Sequence, residues 1–233
     1  MLSTSVGSAR AMTPTDLDQI VHHVKARTSP DLFNHFSLFV YVDKAESGPL
    51  AQRMYVFEKS DGDDLALIYD WPVSTGRETI EPDAHGQLRS TTTPVGFYEL
   101  DPKRLYVDHT SSQWEEPMPY ALFFSWRPDG LPTGLAIHGV IGSPAGVLGQ
   151  RASAGCVHLS AENAHTLYDL VESEFRGPAP ELVYRESTGA VSSDGLLAHN
   201  SNGSLRMDWG YSVLVIVDDF EGTNQVSWLV RPR

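Results

Sequence analysis

One cysteine and one histidine stand out as residues whose types and setting could do chemistry. Cys156 is the single cysteine of the 233-residue chain and directly follows Gly155. His138 lies 18 positions earlier, at the end of a short apolar run. A thiol is a strong nucleophile only as its thiolate, and a nearby imidazole can accept its proton. We therefore expect Cys156 to be a nucleophile and His138 to be its base, provided that the fold brings them together.

The backbone around the cysteine suits acyl transfer. Gly155 allows a tight turn and lets a substrate carbonyl approach closely. We predict that the N–H groups of Gly155 and Cys156 face the negative charge that develops on that carbonyl oxygen.

Three other interpretations of these residues stay open. Cys156 could be a small buried apolar side chain, and His138 could be a hydrogen-bonded core histidine. Alternatively, Cys156, His138 and His158 could be metal ligands. A structural zinc site usually has a tighter set of ligands, and the chain has no second cysteine. We therefore expect no metal and no cofactor.

The elements that must position these residues are mostly short strands. Runs rich in β-branched and aromatic residues alternate with turn-forming clusters of Gly, Pro, Asp and Ser, which is typical of a β-sandwich or barrel. The predicted strands span residues 36–42, 53–58, 65–71, 96–100, 120–126, 135–138, 182–185 and 211–217.

Two helices are predicted around this β-rich region. Thr13 is a suitable cap and Pro14 a suitable first residue for a helix that ends before Ser29. Ser160 caps a second helix with an apolar stripe just after the cysteine. We predict an N-terminal helical extension over residues 1–35 and a catalytic domain over residues 36–186. Residues 187–233 would then form a C-terminal loop and strand extension packed on that domain, with a long surface loop over residues 187–204.

Composition narrows the possible partners. The net charge is −13 at pH 7, so the surface repels phosphate backbones and we expect no nucleic-acid partner. No run of about 18 apolar residues is present to span a membrane, so we expect no membrane insertion of this chain. The N-terminus also lacks the apolar segment of a secretory signal.

The motifs resemble the catalytic domain of the L,D-transpeptidases, the cysteine-dependent enzymes of the bacterial cell wall. His138-Gly139 followed by Ser153-x-Gly155-Cys156 is similar to the signature of that family. The upstream blocks occur in the family's order over about residues 36 to 186. They are Val73-Ser74-Thr75-Gly76, Thr93-Pro94-Val95-Gly96-Phe97-Tyr98, Met118-Pro119-Tyr120-Ala121-Leu122-Phe123-Phe124 and Leu148-Gly149.

This resemblance implies a mainly β, sandwich-like fold, with one helix after the cysteine and another at the N-terminus. It implies that Cys156 attacks the carbonyl of the L-centre of a diaminoacyl residue in a peptidoglycan stem peptide. The thioester would then pass to an amine of a second stem peptide. By the same carry-over, His138 is the base and the Gly139 carbonyl holds its imidazole. The resemblance also assigns supporting residues, namely Ser153 as a hydrogen-bonding partner and Tyr120, Phe123 and His158 as substrate-binding side chains.

Two positions depart from the family's usual pattern. Ala154 stands where the family usually has histidine, and His158 stands where it usually has arginine or asparagine. An imidazole titrates near neutrality, so if His158 helps to bind a carboxylate or the stem peptide, we predict that substrate affinity depends on pH.

Two other functions remain open for the same site. An L,D-carboxypeptidase or cross-link hydrolase would use the same nucleophile with water as the acceptor. A catalytically silent domain would bind wall peptide without turnover. A wall substrate implies a periplasmic or cell-envelope location.

Overall fold

The computed structural model describes residues 12–60, 62, 64–125, 133–142, 146–184 and 192–221. Three helices are present in these ranges, and they are α1 (Pro14–Arg27), α2 (Pro30–His35) and α3 (Ala161–Glu174). The strands are β1 (Leu38–Asp43), β2 (Arg53–Lys59), β3 (Leu65–Pro72), β4 (Ser74–Gly76), β5 (Ile80–Pro82), β6 (Leu88–Ser90), β7 (Gly96–Tyr98), β8 (Leu100–Tyr106), β9 (Ala121–Phe124), β10 (Ala136–Val140), β11 (Gln150–Ser153), β12 (Val157–Ser160), β13 (Arg176–Pro180), β14 (Met207–Tyr211) and β15 (Val213–Asp218).

The predicted helices form because their N-terminal N–H groups find side-chain partners. Thr13 and Asp16 make a reciprocal capping box at the start of α1, in which each side chain accepts a hydrogen bond from the other residue's backbone. Ser160 caps α3 by accepting from the Asn163 N–H at 3.1 Å. The short helix α2 was not predicted, although Ser29 and the following proline supply the same start signal.

Two sheets carry the fold. The first has the strand order β3-β2-β1-β15-β7, and the second has the order β11-β4-β12-β10-β9-β8. Two separate antiparallel pairs, β5–β6 and β13–β14, complete the strands. The prediction of a mainly β, sandwich-like fold with an N-terminal helix and a helix after the cysteine is confirmed.

The main core lies between the two sheets. Alternate residues of β1 point to opposite faces, so that Val40 points toward the second sheet and joins one core cluster with Ile137 and Val157 of that sheet. Phe39 faces the other way, into a second cluster under α1 and α2. The first sheet is therefore covered on both faces, which explains why every residue of β1 is buried.

The C-terminal strand is part of the first sheet. β15 lies between β1 and β7 and pairs with β1 in parallel, with Val40 opposite Val215. The predicted division of the chain into three regions stays a prediction, but this strand is inserted into the sheet and is not packed outside it. Part of the predicted surface loop, residues 187–191, lies outside the described residues.

Several predicted strand boundaries differ from the structure. The strand predicted over residues 211–217 is divided at Ser212 between β14 and β15. Within the described residues 182–184, the strand predicted over 182–185 amounts to a single bridge between Leu182 and Leu197. The short strands β4, β11 and β12 were not predicted because three or four residues carry too little alternation to register as a pattern.

Candidate active site

An open cleft of about 580 Å³ lies on the face of the second sheet that points away from the main core. Residues of β6 and of the segment after it line the cleft, as do residues of the loop before β9. Further lining comes from the segment before β10, from His138 of β10, from Ala154 and Cys156 between β11 and β12, and from His158 of β12. The lining residues used below are Arg89, Ser90, Trp114, Glu116, Met118, Gly134, His138, Ala154, Cys156 and His158.

Strand alternation places both histidines in this cleft. Ile137, Val157 and Leu159 point into the core between the sheets. Because successive side chains of a strand point to opposite faces, His138 and His158 point outward to the cleft. β10 and β12 are parallel neighbours, and their register sets His138 directly beside His158.

Cys156 lies at the floor of the same cleft, just before β12. Its Sγ donates a weak hydrogen bond to the Gly134 carbonyl at 3.5 Å. The side chain is half-buried and packs against a small cluster that includes Met118 and Phe123. Burial raises the pKa of the Cys156 thiol to about 11, the Ala136 amide opposes that rise, and the Glu116 carboxylate adds to it. The thiol is therefore neutral at pH 7 in this arrangement.

His138 is buried and held by its own neighbour. Its Nδ1 lies 2.8 Å from the Gly139 carbonyl oxygen. A carbonyl can only accept, so Nδ1 carries the proton and the lone pair of Nε2 is left free. Burial lowers the pKa of His138 to about 4, against the favourable effect of the Gly139 carbonyl, so the ring is a neutral base near pH 7. None of the hydrogen bonds between described residues joins the Cys156 sulfur to this ring.

His158 does not titrate where the sequence suggested. Its ring meets that of His138 with centroids 4.6 Å apart, in an edge-on arrangement. Burial, with smaller contributions from the neighbouring His138 and Arg77, lowers the pKa of His158 to about 3. The prediction that this residue titrates near neutrality is wrong, because the sheet and the adjacent imidazole remove it from bulk water.

Ser153 closes the turn that presents the cysteine. Its Oγ donates to the Cys156 carbonyl at 2.5 Å and accepts from the Gly155 N–H at 3.0 Å. The Gly155 N–H is therefore already occupied and is not free for an oxyanion, contrary to the sequence expectation. In the turns and loops of the described residues, no hydrogen bond uses the Cys156 N–H.

The two predicted aromatic walls do not line the cleft. Tyr120 has a left-handed backbone, with φ of 54°, and its ring stacks on His165 of α3 with centroids 4.3 Å apart. Phe123 is buried beneath the thiol, where the Arg104 guanidinium lies 4.8 Å from its ring centre. Both assignments to the cleft wall are corrected, since one ring packs on a helix and the other belongs to the core.

Several cleft residues were not identified from the sequence, among them Arg89, Trp114 and Glu116. Arg89 is partly neutralised by Asp83, with its Nε 3.2 Å from the carboxylate. The only sequence signal was an aromatic residue within a polar stretch, and many surface loops share that feature. Ala154 also lines the cleft, at the position that departs from the family's histidine.

The sequence blocks converge around the cleft. The Gly149 N–H donates to the Val73 carbonyl at 2.7 Å, and the Arg77 N–H donates to the Ser153 carbonyl at 3.0 Å. β4 pairs with β11 in parallel and with β12 in antiparallel fashion. In the described ranges, no group of three or more His, Cys, Asp or Glu side chains is arranged to hold a metal ion.

A sequence model of the L,D-transpeptidase catalytic domain family, YkuD, matches residues 38–209. This match covers more than half of the chain and includes every strand that forms the cleft. Among curated protein sequences, none matches the chain. Over the described residues, we find no helix with the length and apolar content needed to cross a membrane.

The solved structures that align with this chain share little sequence with it. An L,D-transpeptidase from Mycobacterium smegmatis is 15% identical with a TM-score of 0.41, over 78% of this chain and 59% of that one. An L,D-transpeptidase from Stackebrandtia nassauensis is 17% identical with a TM-score of 0.42, over 91% of this chain and 70% of that one. Another, from Xylanimonas cellulosilytica, is 18% identical with a TM-score of 0.41, over 88% and 70% of the two chains. The chain therefore spans less than two thirds of the mycobacterial structure.

Proposed function

The chain belongs to the L,D-transpeptidase catalytic domain family, and on that basis we propose that it transfers acyl groups of peptidoglycan stem peptides through a thioester on Cys156. Membership supports a transpeptidase in general. The nucleophile, the base and the order of steps are proposed here from this chain's own residues. The proposed site of action of the protein is the periplasm or cell envelope, where peptidoglycan lies.

One observation carries the proposal. The thiol of Cys156 and the imidazole of His138 line the same cleft, and the Gly139 carbonyl holds Nδ1 of that imidazole at 2.8 Å. This contact leaves Nε2 of a neutral ring as the only basic nitrogen of His138. A neutral thiol needs such a base, because the raised pKa of Cys156 leaves few thiolates at pH 7.

The first half-reaction acylates the cysteine. His138 Nε2 takes the thiol proton as Sγ forms a bond to the carbonyl carbon of the donor, and the carbonyl electron pair moves onto oxygen. When that pair returns, the bond to the terminal D-residue breaks. The leaving amine takes the proton back from the imidazolium, so a free D-residue and a thioester remain.

The second half-reaction transfers the acyl group. An acceptor amine enters the cleft, gives a proton to His138 Nε2 and attacks the thioester carbon. The C–S bond breaks, the sulfur recovers the proton and a new peptide bond remains. The cleft is open to solvent at its rim, so water can compete as the acceptor. Hydrolysis of the same thioester is the carboxypeptidase or cross-link hydrolase outcome.

Product analysis tests this proposal. The protein is incubated with a tetrapeptide stem donor and an isotope-labelled stem acceptor that bears a free amine. We expect a labelled cross-linked product from the wild type and none from Cys156→Ala or His138→Ala. Free acid as the sole product in the presence of acceptor would assign the hydrolase function. Binding of donor without any product would assign the silent wall-peptide-binding domain.

A further inference from the structure

Thr93 lies where three segments behind the cysteine meet. It is fully buried between β6 and β7. Its Oγ1 accepts from the Gly76 N–H at 2.8 Å and donates to the Gly155 carbonyl at 2.7 Å. One hydroxyl therefore ties the end of β4 to the turn that presents Cys156.

An ion pair between the buried Lys44 and the half-buried Glu78 holds the backbone of Thr93 from both sides. The Lys44 Nζ donates to the Thr93 carbonyl at 2.7 Å, and the Thr93 N–H donates to Glu78 Oε1 at 3.3 Å. The same Lys44 Nζ lies 2.6 Å from Glu78 Oε1, with only 6% of the lysine side chain exposed. If Thr93 moved, the buried ammonium group of Lys44 would lose one of its hydrogen-bond acceptors. Thr93 is therefore held firmly in position.

The contacts of Thr93 also fix the orientation of the peptide group between Gly155 and Cys156. In a planar trans peptide, the carbonyl and the following N–H point in opposite directions. Thr93 draws the Gly155 carbonyl into the protein, so the Cys156 N–H points away from Thr93. Ser153 holds the next carbonyl, that of Cys156, at 2.5 Å. Both peptide groups that flank the Cys156 α-carbon are therefore held by side-chain hydroxyls.

Gly155 makes this arrangement possible. Its φ is +116°, in the region that favours glycine, and an added Cβ would lie 3.0 Å from the Thr92 carbonyl oxygen. The turn thus stays close to the segment that carries Thr93, which keeps the 2.7 Å hydrogen bond short.

We propose that Thr93, held by the Lys44–Glu78 pair, is a positioning residue that orients the Cys156 N–H as the donor to the oxyanion of acyl transfer. This inference rests on the proposed function, since it concerns the same cysteine. The Cys156 N–H stabilises the oxygen that gains the electron pair when Sγ bonds to a carbonyl carbon. Alkylation of the same thiol at a saturated carbon creates no oxyanion and does not need that N–H.

The contrast between acylation and alkylation gives the test. Thr93→Val removes the hydroxyl at nearly constant shape, and Thr93→Ser restores it. Thr28→Val is the matched control, because Thr28 is also buried and donates its Oγ1 to a backbone carbonyl, at 2.7 Å, but lies in the cap of α1. Each protein is acylated with p-nitrophenyl acetate, followed by the burst of p-nitrophenolate, and is alkylated with iodoacetamide at the same pH.

The orientation account expects a specific pattern. Thr93→Val should slow saturating acylation by about 10- to 100-fold while the alkylation rate stays within about twofold. Thr93→Ser should recover most of the acylation rate, and Thr28→Val should acylate like the wild type. Equal acylation by wild type and Thr93→Val, or an equal loss of both reactions, would overturn the inference.

A second variant and a second substrate provide further tests of this inference. If Thr93→Val does not fold, Glu78→Gln removes one charge of the pair and is judged by the same ratio of acylation to alkylation. The ester probe needs no stem-peptide recognition. A wild type that reacts with the ester but not with the tetrapeptide would contradict the proposed substrate and leave the role of Thr93 measurable.

Discussion

The rings of His138 and His158 meet edge-on, with centroids 4.6 Å apart, at the floor of the cleft. Burial lowers the pKa of the first to about 4 and of the second to about 3. Burial also raises the pKa of the Cys156 thiol to about 11. The resting site is therefore a neutral thiol beside neutral imidazoles, and charge separation is deferred until substrate is bound.

A neutral resting thiol predicts a simple alkylation profile. The rate of iodoacetamide reaction at Cys156 should rise about tenfold per pH unit between pH 7 and 10, because the thiolate fraction does. Cys156 is the only cysteine, so loss of the free thiol measures this site alone. A rate that is level from pH 6 to 9 would instead indicate a preformed thiolate–imidazolium pair.

The lowered pKa of His158 predicts a pH-dependent stability. Between pH 6.5 and about 3, the unfolded chain binds a proton on this residue that the folded chain does not, so the free energy of unfolding falls as pH decreases. His158→Asn removes this contribution. Relative to wild type, the free energy of unfolding of the variant should therefore increase by about 2 kcal/mol on going from pH 7 to pH 5.

Urea unfolding of both proteins at each pH measures that difference. Comparison with wild type is needed because other buried groups change the free energy of unfolding with pH in the opposite direction. Burial raises the pKa of Asp43 to about 7 and that of Glu99 to about 8, so both carboxyls add stability as pH decreases. A difference in free energy of unfolding between the two proteins that does not change with pH would contradict the burial of a neutral His158.

The turn before the cysteine predicts a position-specific penalty for alanine. Gly155 and Gly86 both have positive φ, but only Gly155 would bring a Cβ within 4 Å of other atoms. Gly86→Ala should cost about 1 kcal/mol from backbone strain alone. Gly155→Ala should cost about 2–4 kcal/mol, because the contact with the Thr92 carbonyl adds to that strain. Equal unfolding midpoints for the two variants would argue against the tight turn.

Trp114 predicts a substrate contact that the sequence did not identify. It lines the same cleft as Arg89. Trp114→Ala should raise KM for a stem-peptide donor by about 3- to 10-fold with kcat little changed, since an aromatic wall contributes uniform binding. Trp209, which is 59% exposed and lies away from this cleft, supplies the control. A similar effect of Trp209→Ala, or a pure kcat effect at Trp114, would contradict this role.

The sequence identified His138 and Cys156 because their residue types and the motifs around them are local features. His138 ends an apolar run that predicts a strand, whereas β12, which follows Cys156, is too short to show a pattern. Tyr120 was misplaced because its left-handed backbone turns the chain just before β9. No local pattern of an aromatic-rich segment encodes that turn.

The electrostatics of the site depended on contacts that are remote in sequence. The prediction for His158 failed because β10 and β12 become neighbours only in the folded sheet, where one imidazole excludes water from the other. The sequence shows Thr93 only as part of a motif, since its partners Lys44 and Gly155 lie 49 and 62 positions away. Hydrogen bonds between residues so far apart in sequence follow from how the folded chain packs, and sequence spacing does not predict them.

The most direct test of the central claim is the intact mass of the protein, quenched in acid within seconds of mixing with a tetrapeptide stem donor. The account predicts an added mass equal to the donor minus its terminal D-residue, located on Cys156 by peptide mapping and absent from Cys156→Ala. An unmodified Cys156 while product accumulates, or an adduct of the same mass in Cys156→Ala, would contradict it.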